Sequence, residues 1–274
     1  MQNGDAGTIR IGIGGWIYQP WRGAFYPEKH PAKRELEYAS RRLSSIEING
    51  TYYRTQKPAT FAKWRDETPE DFVFAVKAPR FATHRTRLAE AGESIERFLA
   101  SGVLELREKL GPINWQFPTS RSFDAADFEA FLALLPASAE GRPLRHAVEV
   151  RHDSFRNAQF VALAKARGTA IVVAGDSEHP QIADPTAPFV YVRIMGTREN
   201  EPTGYSASDL DRWAARAKAW ASGATPEGLA FVTPADSSGA QAGSSTPRDV
   251  YLYVISGYKE RNPAAAMALI ERLG

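Results

Sequence analysis

The stretch AVEVRHDSF, residues 147–155, sets Glu149 and Arg151 between valines. Side chains alternate faces along an extended strand, so Glu149 and Arg151 share one face while Val148 and Val150 share the other. Four more apolar runs repeat the pattern: Glu47 and Asn49 alternate with Ile46 and Ile48, Lys77 follows Ala75 and Val73, Gln116 follows Asn114, and Arg193 follows Tyr191. Each polar group stands near the C-terminal end of its run. Acid and base chemistry of a hydrolase or lyase type is within reach of such a set. Glu149 beside Arg151 is the candidate base, Glu47 a second carboxylate, Lys77 and Arg193 the charge partners, and Asn49 and Gln116 the orienting amides. His152 adds an imidazole, the side-chain type whose charge changes near neutral pH. A purely structural reading competes with this one. Glu149 with Arg151 or Arg193, and Glu47 with Lys77, would also serve as buried ion pairs, and removing one partner of such a pair costs about 3–5 kcal/mol. Five runs each bringing a polar group to the same end exceed what packing requires, which favours a pocket.

Three loops add candidates. GGWIYQPWRGAFYPEKH (14–30) concentrates aromatic groups, of which Trp16 and Tyr18 are ligand candidates together with Tyr53 from a later loop; the same groups would equally form an apolar lid. KAPRFATHRTR (77–87) carries Lys77, Arg80, His84, Arg85 and Arg87 without an acid, and suits phosphate or another anion unless acids elsewhere neutralise it. Interleaved aromatic and basic residues also allow nucleic-acid binding or phosphodiester processing. Glu47, Glu149, His152 and Asp176 are donor types for a cation, but no diagnostic metal spacing accompanies them, so no metal ligand and no cofactor are assigned. His152 beside Asp153 and Ser154 also fits a capping role. No Gly-x-Ser-x-Gly elbow or P-loop occurs, and GIGG is too short for a dinucleotide fingerprint.

The elements that must position these groups are legible as alternating apolar runs and helix-period segments, the pattern of βα units around a parallel sheet. Eight strands are predicted, at 9–13, 45–49, 72–77, 112–117, 146–151, 170–175, 189–194 and 250–255, which suggests a closed TIM-like (β/α) barrel in one domain over 1–274. In such a barrel the C-terminal ends of the strands form the mouth where ligands bind. Asp124 is expected to cap a helix whose stripe is Phe128, Phe131, Leu132 and Leu135; a second helix is expected over 94–110, ending on Gly111; and Asn262 with Pro263 is expected to open the last one. Residues 176–188 offer no helix, so the unit after strand six is irregular or lacks one. Between 223 and 247 the composition turns to Gly, Ser, Ala, Thr and Pro, predicting a flexible insertion before strand eight.

Composition bounds the answer. Hydrophobic residues make up 43% and charged residues 24%, which fits a folded globular chain. Lys and Arg number 34 against 32 Asp and Glu, a balance of +2 that gives no global footprint for nucleic acid. The chain has no cysteine, which removes thiolate chemistry and Cys-bound zinc and fits a reducing compartment, so a cytoplasmic location is the expectation. The first residues lack an apolar signal core, and no run reaches the roughly 18 apolar residues of a membrane span.

GGWIYQPWRGAFYP, SIEINGTYYR, FVFAVKAPRFATH, LGPINWQFP, HAVEVRHDSF, FVYVRIMG and YSASDLDRWAARAKAW, in that order, resemble the YecE-like family, domain of unknown function seventy-two, over nearly the whole chain. The resemblance implies a TIM-like barrel and no particular reaction. It also implies two departures. Met195 stands where the family's strand seven usually ends with a histidine, and Ile255 and Ser256 stand where strand eight usually ends in an Asn-rich turn. Both remove polar groups from the mouth. The expectation is therefore an enzyme, or a non-catalytic barrel derived from one, that binds a small anionic and possibly phosphorylated ligand, with nucleic acid as the alternative partner.

Overall fold

The computed structural model describes residues 6–234 and 246–274. Its frame is eight parallel strands: β1 (Ile9–Gly14), β2 (Ser45–Ile48), β3 (Val73–Lys77), β4 (Leu110–Gln116), β5 (His146–Glu149), β6 in two parts (Ala170–Ile171 and Val173–Gly175), β7 (Phe189–Ile194) and β8 (Asp249–Val254). Each strand pairs with the next in the chain, and β8 pairs back onto β1 with Ile9 opposite Val250. The ring closes through β6. Its first part pairs with β5 and its second with β7, while between them the Val172 N–H donates to the Val148 carbonyl at 2.9 Å. All eight predicted strands are present in the expected order.

The strand period sorts the apolar residues into two layers. Ile46, Ile48, Phe74, Val76, Ile113, Trp115 and Val148 face outward and pack under the helices. Val73, Ala75, Ala147, Val172, Tyr191 and Tyr253 form a separate cluster inside the barrel. The helices that follow the strands are α1 (Glu35–Ser40), α2 (Pro58–Asp66), α3 (Gly92–Leu99), α4 (Ala125–Leu134), α5 (Ala158–Ala166), α6 (Ala207–Ser222) and α7 (Asn262–Leu273). Asp124 caps α4 as expected, accepting from the Asp127 N–H at 2.9 Å. Ser206 caps α6 in the same way.

Three local expectations are corrected. The helix predicted over 94–110 stops at Leu99, Gly102 turns the chain at φ 102°, and residues Val103–Lys109 form a tighter 3-10 run with Arg107 at φ 54°. Gly111 lies inside β4 rather than ending a helix, and an added Cβ there would meet the Phe74 carbonyl oxygen at 2.8 Å. Asn262 is the first residue of α7 and not its cap; its side-chain oxygen accepts from the Thr197 hydroxyl at 2.8 Å. No helix follows β6, in line with the sequence. There residues 181–184 hold part of the composition-biased stretch, since the Ala183 N–H donates to the Ala230 carbonyl at 2.9 Å and the Asp184 carboxylate accepts from the Val232 and Thr233 N–H groups. Residues 235–245 of the expected insertion lie outside the described residues.

Candidate functional site at the barrel mouth

Small residues make room inside the barrel for large polar ones. Gly12, Gly14, Ala75 and Ala147 occupy inner positions on β1, β3 and β5; a Cβ on Gly12 would meet the Ser45 carbonyl oxygen at 2.1 Å and the Tyr253 ring at 3.2 Å. Into that space Arg193 extends from β7. Its Nη2 donates to Glu47 Oε1 at 3.0 Å on β2, and its Nη1 donates to Glu149 Oε2 at 2.7 Å on β5 and to Gln116 Oε1 at 3.4 Å on β4. One guanidinium therefore ties three other strands together. Arg151, just past β5, donates to Glu149 Oε1 from Nε at 2.9 Å and Nη2 at 2.6 Å, and to Gln116 Oε1 at 3.0 Å.

Every oxygen of the two carboxylates has a hydrogen-bond partner. Glu149 accepts four hydrogen bonds, two from Arg151, one from Arg193 and one from Asn114 Nδ2 at 3.1 Å, which fills the roughly four lone-pair sites of a carboxylate. Glu47 accepts from Arg193 and, at 2.5 Å, from the Tyr191 hydroxyl. Both glutamates have no solvent exposure. Burial alone would raise the Glu149 pKa, but Arg193, Arg151 and Lys77 outweigh it and hold the carboxyl at about 2. Burial also opposes the charge on Arg193, yet Glu149 and Glu47 push its pKa above the ordinary arginine value. Burial and the neighbouring Glu47 raise Tyr191 well above an ordinary phenol.

Lys77 differs from these partners. It ends β3, is 7% exposed, and has no carboxylate within ion-pair distance among the described residues. Its ammonium sits 4.1 Å from the centre of the Tyr52 ring. Desolvation first, and Arg193 second, pull its pKa down to about 8, against the opposing pull of Glu47 and Glu149. The Tyr52 hydroxyl bonds to His84 Nε2 at 2.9 Å and accepts weakly from Gln116 Nε2 at 3.5 Å, so Lys77, Tyr52, His84, Gln116 and Arg151 line one side of the mouth. The Arg151 side chain is 22% exposed, making it the arginine of the network that solvent reaches.

The remaining candidates are distributed around this centre. Arg80 is exposed, and its charge acts on both Tyr52 and His84, which puts it on the rim. Tyr53 is 68% exposed and meets Tyr52 edge to face. Arg85 binds Ser94 and Arg87 pairs with Glu90 at 3.8 Å, so two of the five basic residues of the run are committed to nearby partners. His152 bonds through Nδ1 to the Ser154 hydroxyl at 2.8 Å and to the Ser154 N–H, the capping role that its neighbours suggested. Asp176, at φ 52°, accepts from Trp213 Nε1 at 2.7 Å and is bonded to Tyr205. Trp16 packs edge to face on Trp64, while Trp21, Phe25 and Tyr26 interlock with Tyr38 in the outer layer of the core. Asn49 approaches Gly14, its nitrogen 2.8 Å from where a Cβ would stand. Ile255 is 8% exposed and packs at the same place, so an apolar group does fill part of the mouth.

Tyr191 and Asn114, placed by alternation on the same faces as Arg193 and Gln116 but given no role there, act on this network, as does His179. Tyr191 and Asn114 carry a readable signal, since each lies two residues before Arg193 or Gln116 and shares its face. His179 lies in the helix-free loop after β6, where burial and Arg151 lower its pKa; nothing in the sequence brings that loop to the mouth. Among the described residues no group of three or more His, Asp or Glu side chains is arranged to hold a metal.

Comparison with known proteins is consistent with this architecture. The family described as "Protein of unknown function DUF72" matches residues 10–274. A curated Escherichia coli (strain K12) relative, the UPF0759 protein YecE, is 28% identical over 150 residues, covering 54% of this chain and 50% of the relative, so the match spans about half the length of that protein. The UPF0759 protein YunF of Bacillus subtilis (strain 168) is 28% identical over 203 residues, covering 70% of this chain and 67% of the relative. A solved DUF72 family protein from Thermotoga maritima superposes with a TM-score of 0.70 at 20% identity, over 97% of this chain and 99% of that one. One from Enterococcus faecalis gives 0.68 at 16% identity, over 97% and 95%. At these identities the structures speak for the fold alone.

Proposed function

The chain belongs to the DUF72 family of proteins of unknown function, and on that footing we propose that its barrel mouth binds a small anion, such as a phosphate or carboxylate group, between Lys77 and Arg151. The observation that carries this reading is the isolation of Lys77. Three cations, Lys77, Arg151 and Arg193, share the site with two carboxylates, and each carboxylate is ion-paired with an arginine and not with Lys77. One positive charge is left without a partner, buried beside a partly exposed guanidinium. An anion arriving there regains for Lys77 the solvation that burial removed.

The roles follow from the bonding. Glu149, expected from sequence to act as a base, is a poor one with four donors on it and a pKa of about 2; it orients Arg151 and Arg193 instead. Glu47 fixes the far end of Arg193. Acid and base work falls to Lys77, whose pKa of about 8 leaves an appreciable neutral fraction near physiological pH. Gln116 and Tyr52 position the ligand, and Arg80 and His84 draw it in from the rim.

Thermal-shift titration with inorganic phosphate, small carboxylates and phosphate monoesters tests the reading. At 100 times Kd a ligand adds about 2.7 kcal/mol, a Tm rise of several degrees. The rise is expected for the natural chain and not for Lys77→Met. No shift with any of these anions, or an equal shift in the variant, would overturn it. The exposed Tyr53 and Arg80 at the rim support a second reading, a nucleic-acid strand that offers its phosphates to the same cations; steep loss of oligonucleotide binding with added salt distinguishes it.

A further inference from the structure

A cleft of about 270 Å3 lies beside the mouth, where the exit of β1 meets the exit of β2. Its floor is the backbone of Gly14 and Gly15. Gly15 has φ +71° with nothing within 4 Å of an added Cβ, so this bend needs a glycine and leaves the backbone bare toward the cleft. One wall is apolar. Trp16 and Trp64 meet there with ring centres 5.0 Å apart, and Ile17 beside them is 74% exposed, the most exposed of the large apolar side chains described. Singly exposed apolar residues are ordinary, but one set against two indoles inside a concavity is the composition of a ligand wall.

The opposite lining is cationic. Arg54 and Lys259 both face the cleft, and among the described residues neither has a carboxylate within ion-pair distance. The Lys259 ammonium stands 4.2 Å from the Tyr18 ring centre and 5.6 Å from that of Trp21, an arrangement that holds it in place without neutralising it. Between the two walls Asn49 contributes a buried side-chain oxygen that accepts no hydrogen bond among the described residues. Its amide nitrogen lies on the Gly14 side, 2.8 Å from where a Cβ would stand.

A free inorganic anion has no use for the indole wall, and a neutral apolar ligand leaves two cations unmatched. A ligand complementary to all three features carries a flat apolar ring, a hydrogen-bond donor at the ring edge and an anionic group. The volume lies just below the usual range of small-molecule sites, about 300–1,000 Å3, which favours a ligand with one ring system and one phosphate over a dinucleotide. We propose that the cleft is a nucleoside 5′-monophosphate site, with the base against Trp16 and Ile17, a base amino group donating to Asn49 Oδ1, and the phosphate on Arg54 and Lys259. It is separate from the anion position at Lys77 and rests on different residues.

Titration of the full chain with AMP, CMP, GMP and UMP, followed by tryptophan fluorescence and thermal shift, tests the site. The Lys77→Met background removes phosphate binding at the mouth and keeps the two positions distinguishable. Saturable binding of at least one nucleotide is expected there, with affinity within twofold of the natural chain. Arg54→Met combined with Lys259→Met is expected to weaken it tenfold or more, and the matching nucleoside or phosphate alone is expected to bind at least tenfold more weakly than the nucleotide. Arg54 is exposed, so its single variant tests the charge without risk to the fold, and a three- to tenfold loss is expected. No saturable binding of any of the four, undiminished binding in the double variant, or a nucleoside that binds as tightly as its monophosphate would each sink the proposal.

Discussion

At the scale of single residues, the two sides of the mouth have opposite relations to stability. Glu149 is held at about pKa 2, below the usual carboxyl value, so its contribution is present above the unfolded pKa and is lost as pH falls toward 2. A depression from 4.5 to about 2 corresponds to roughly 3 kcal/mol. Glu149→Gln leaves two guanidinium groups short of a counter-charge, and denaturant titration at pH 7 is expected to show a loss of about 3–5 kcal/mol. Lys77 behaves in reverse. Its folded pKa of about 8 lies below that of an unfolded lysine, so its charge weakens the fold at neutral pH and the lost stability returns as pH rises from 8 toward 10.5. Lys77→Met is therefore expected to stabilise the protein by about 1–3 kcal/mol at pH 7 while abolishing anion binding. Because the protonated amine holds the anion, affinity should fall about tenfold per pH unit above 8; affinity that stays flat to pH 10 contradicts the assignment. Much of this site was legible residue by residue. Alternation placed Glu47, Lys77, Gln116, Glu149, Arg151 and Arg193 on inner faces. It offered Arg193 as a partner of Glu149 but paired Glu47 with Lys77, and did not reveal that Arg193 also reaches Glu47 on β2, because which strands oppose each other is a property of the closed ring.

At the scale of elements, sequence punctuation worked where a side chain caps its own helix and failed where a distant element decides. Asp124 and Ser206 act within three residues, so local reading suffices. The 94–110 segment has helical composition, yet α3 ends early because Gly102 takes φ 102° with an added Cβ only 2.5 Å from Pro58 Cα at the start of α2. No local pattern encodes that contact. Gly102→Ala is expected to cost about 2–4 kcal/mol by thermal or urea unfolding, from a strained backbone and a steric clash combined. A loss under 0.5 kcal/mol would show that α2 and the 3-10 run do not meet this closely. Asn262 follows the same logic: its capping chemistry is plain in the sequence, but Thr197 on the β7 exit competes for its oxygen and wins.

At the scale of the whole molecule, eight strands in order and a missing helix after β6 were readable, whereas the fate of that gap was not. Asp184 fastens residues 232–233 to the β6 loop, an acid in a Pro- and Ala-rich stretch with no motif around it. Asp184→Ala is expected to increase proteolytic cleavage between 224 and 234, with intact barrel circular dichroism; unchanged cleavage would mean that other contacts hold this segment. Among the described residues no helix is long and apolar enough to cross a membrane. The arginine that joins β2, β5 and β7 also sets an order of events during synthesis. It lies 146 residues after Glu47 and 44 after Glu149. At about 5–20 residues per second, a ribosome delivers Arg193 roughly 2–9 s after Glu149. For that interval Glu149 has Arg151 as its counter-ion, whereas Glu47 lacks the guanidinium it pairs with. Until the seventh strand arrives, Glu47 is left to water for its solvation, so the charge balance on the inner face of the barrel is completed only late in synthesis.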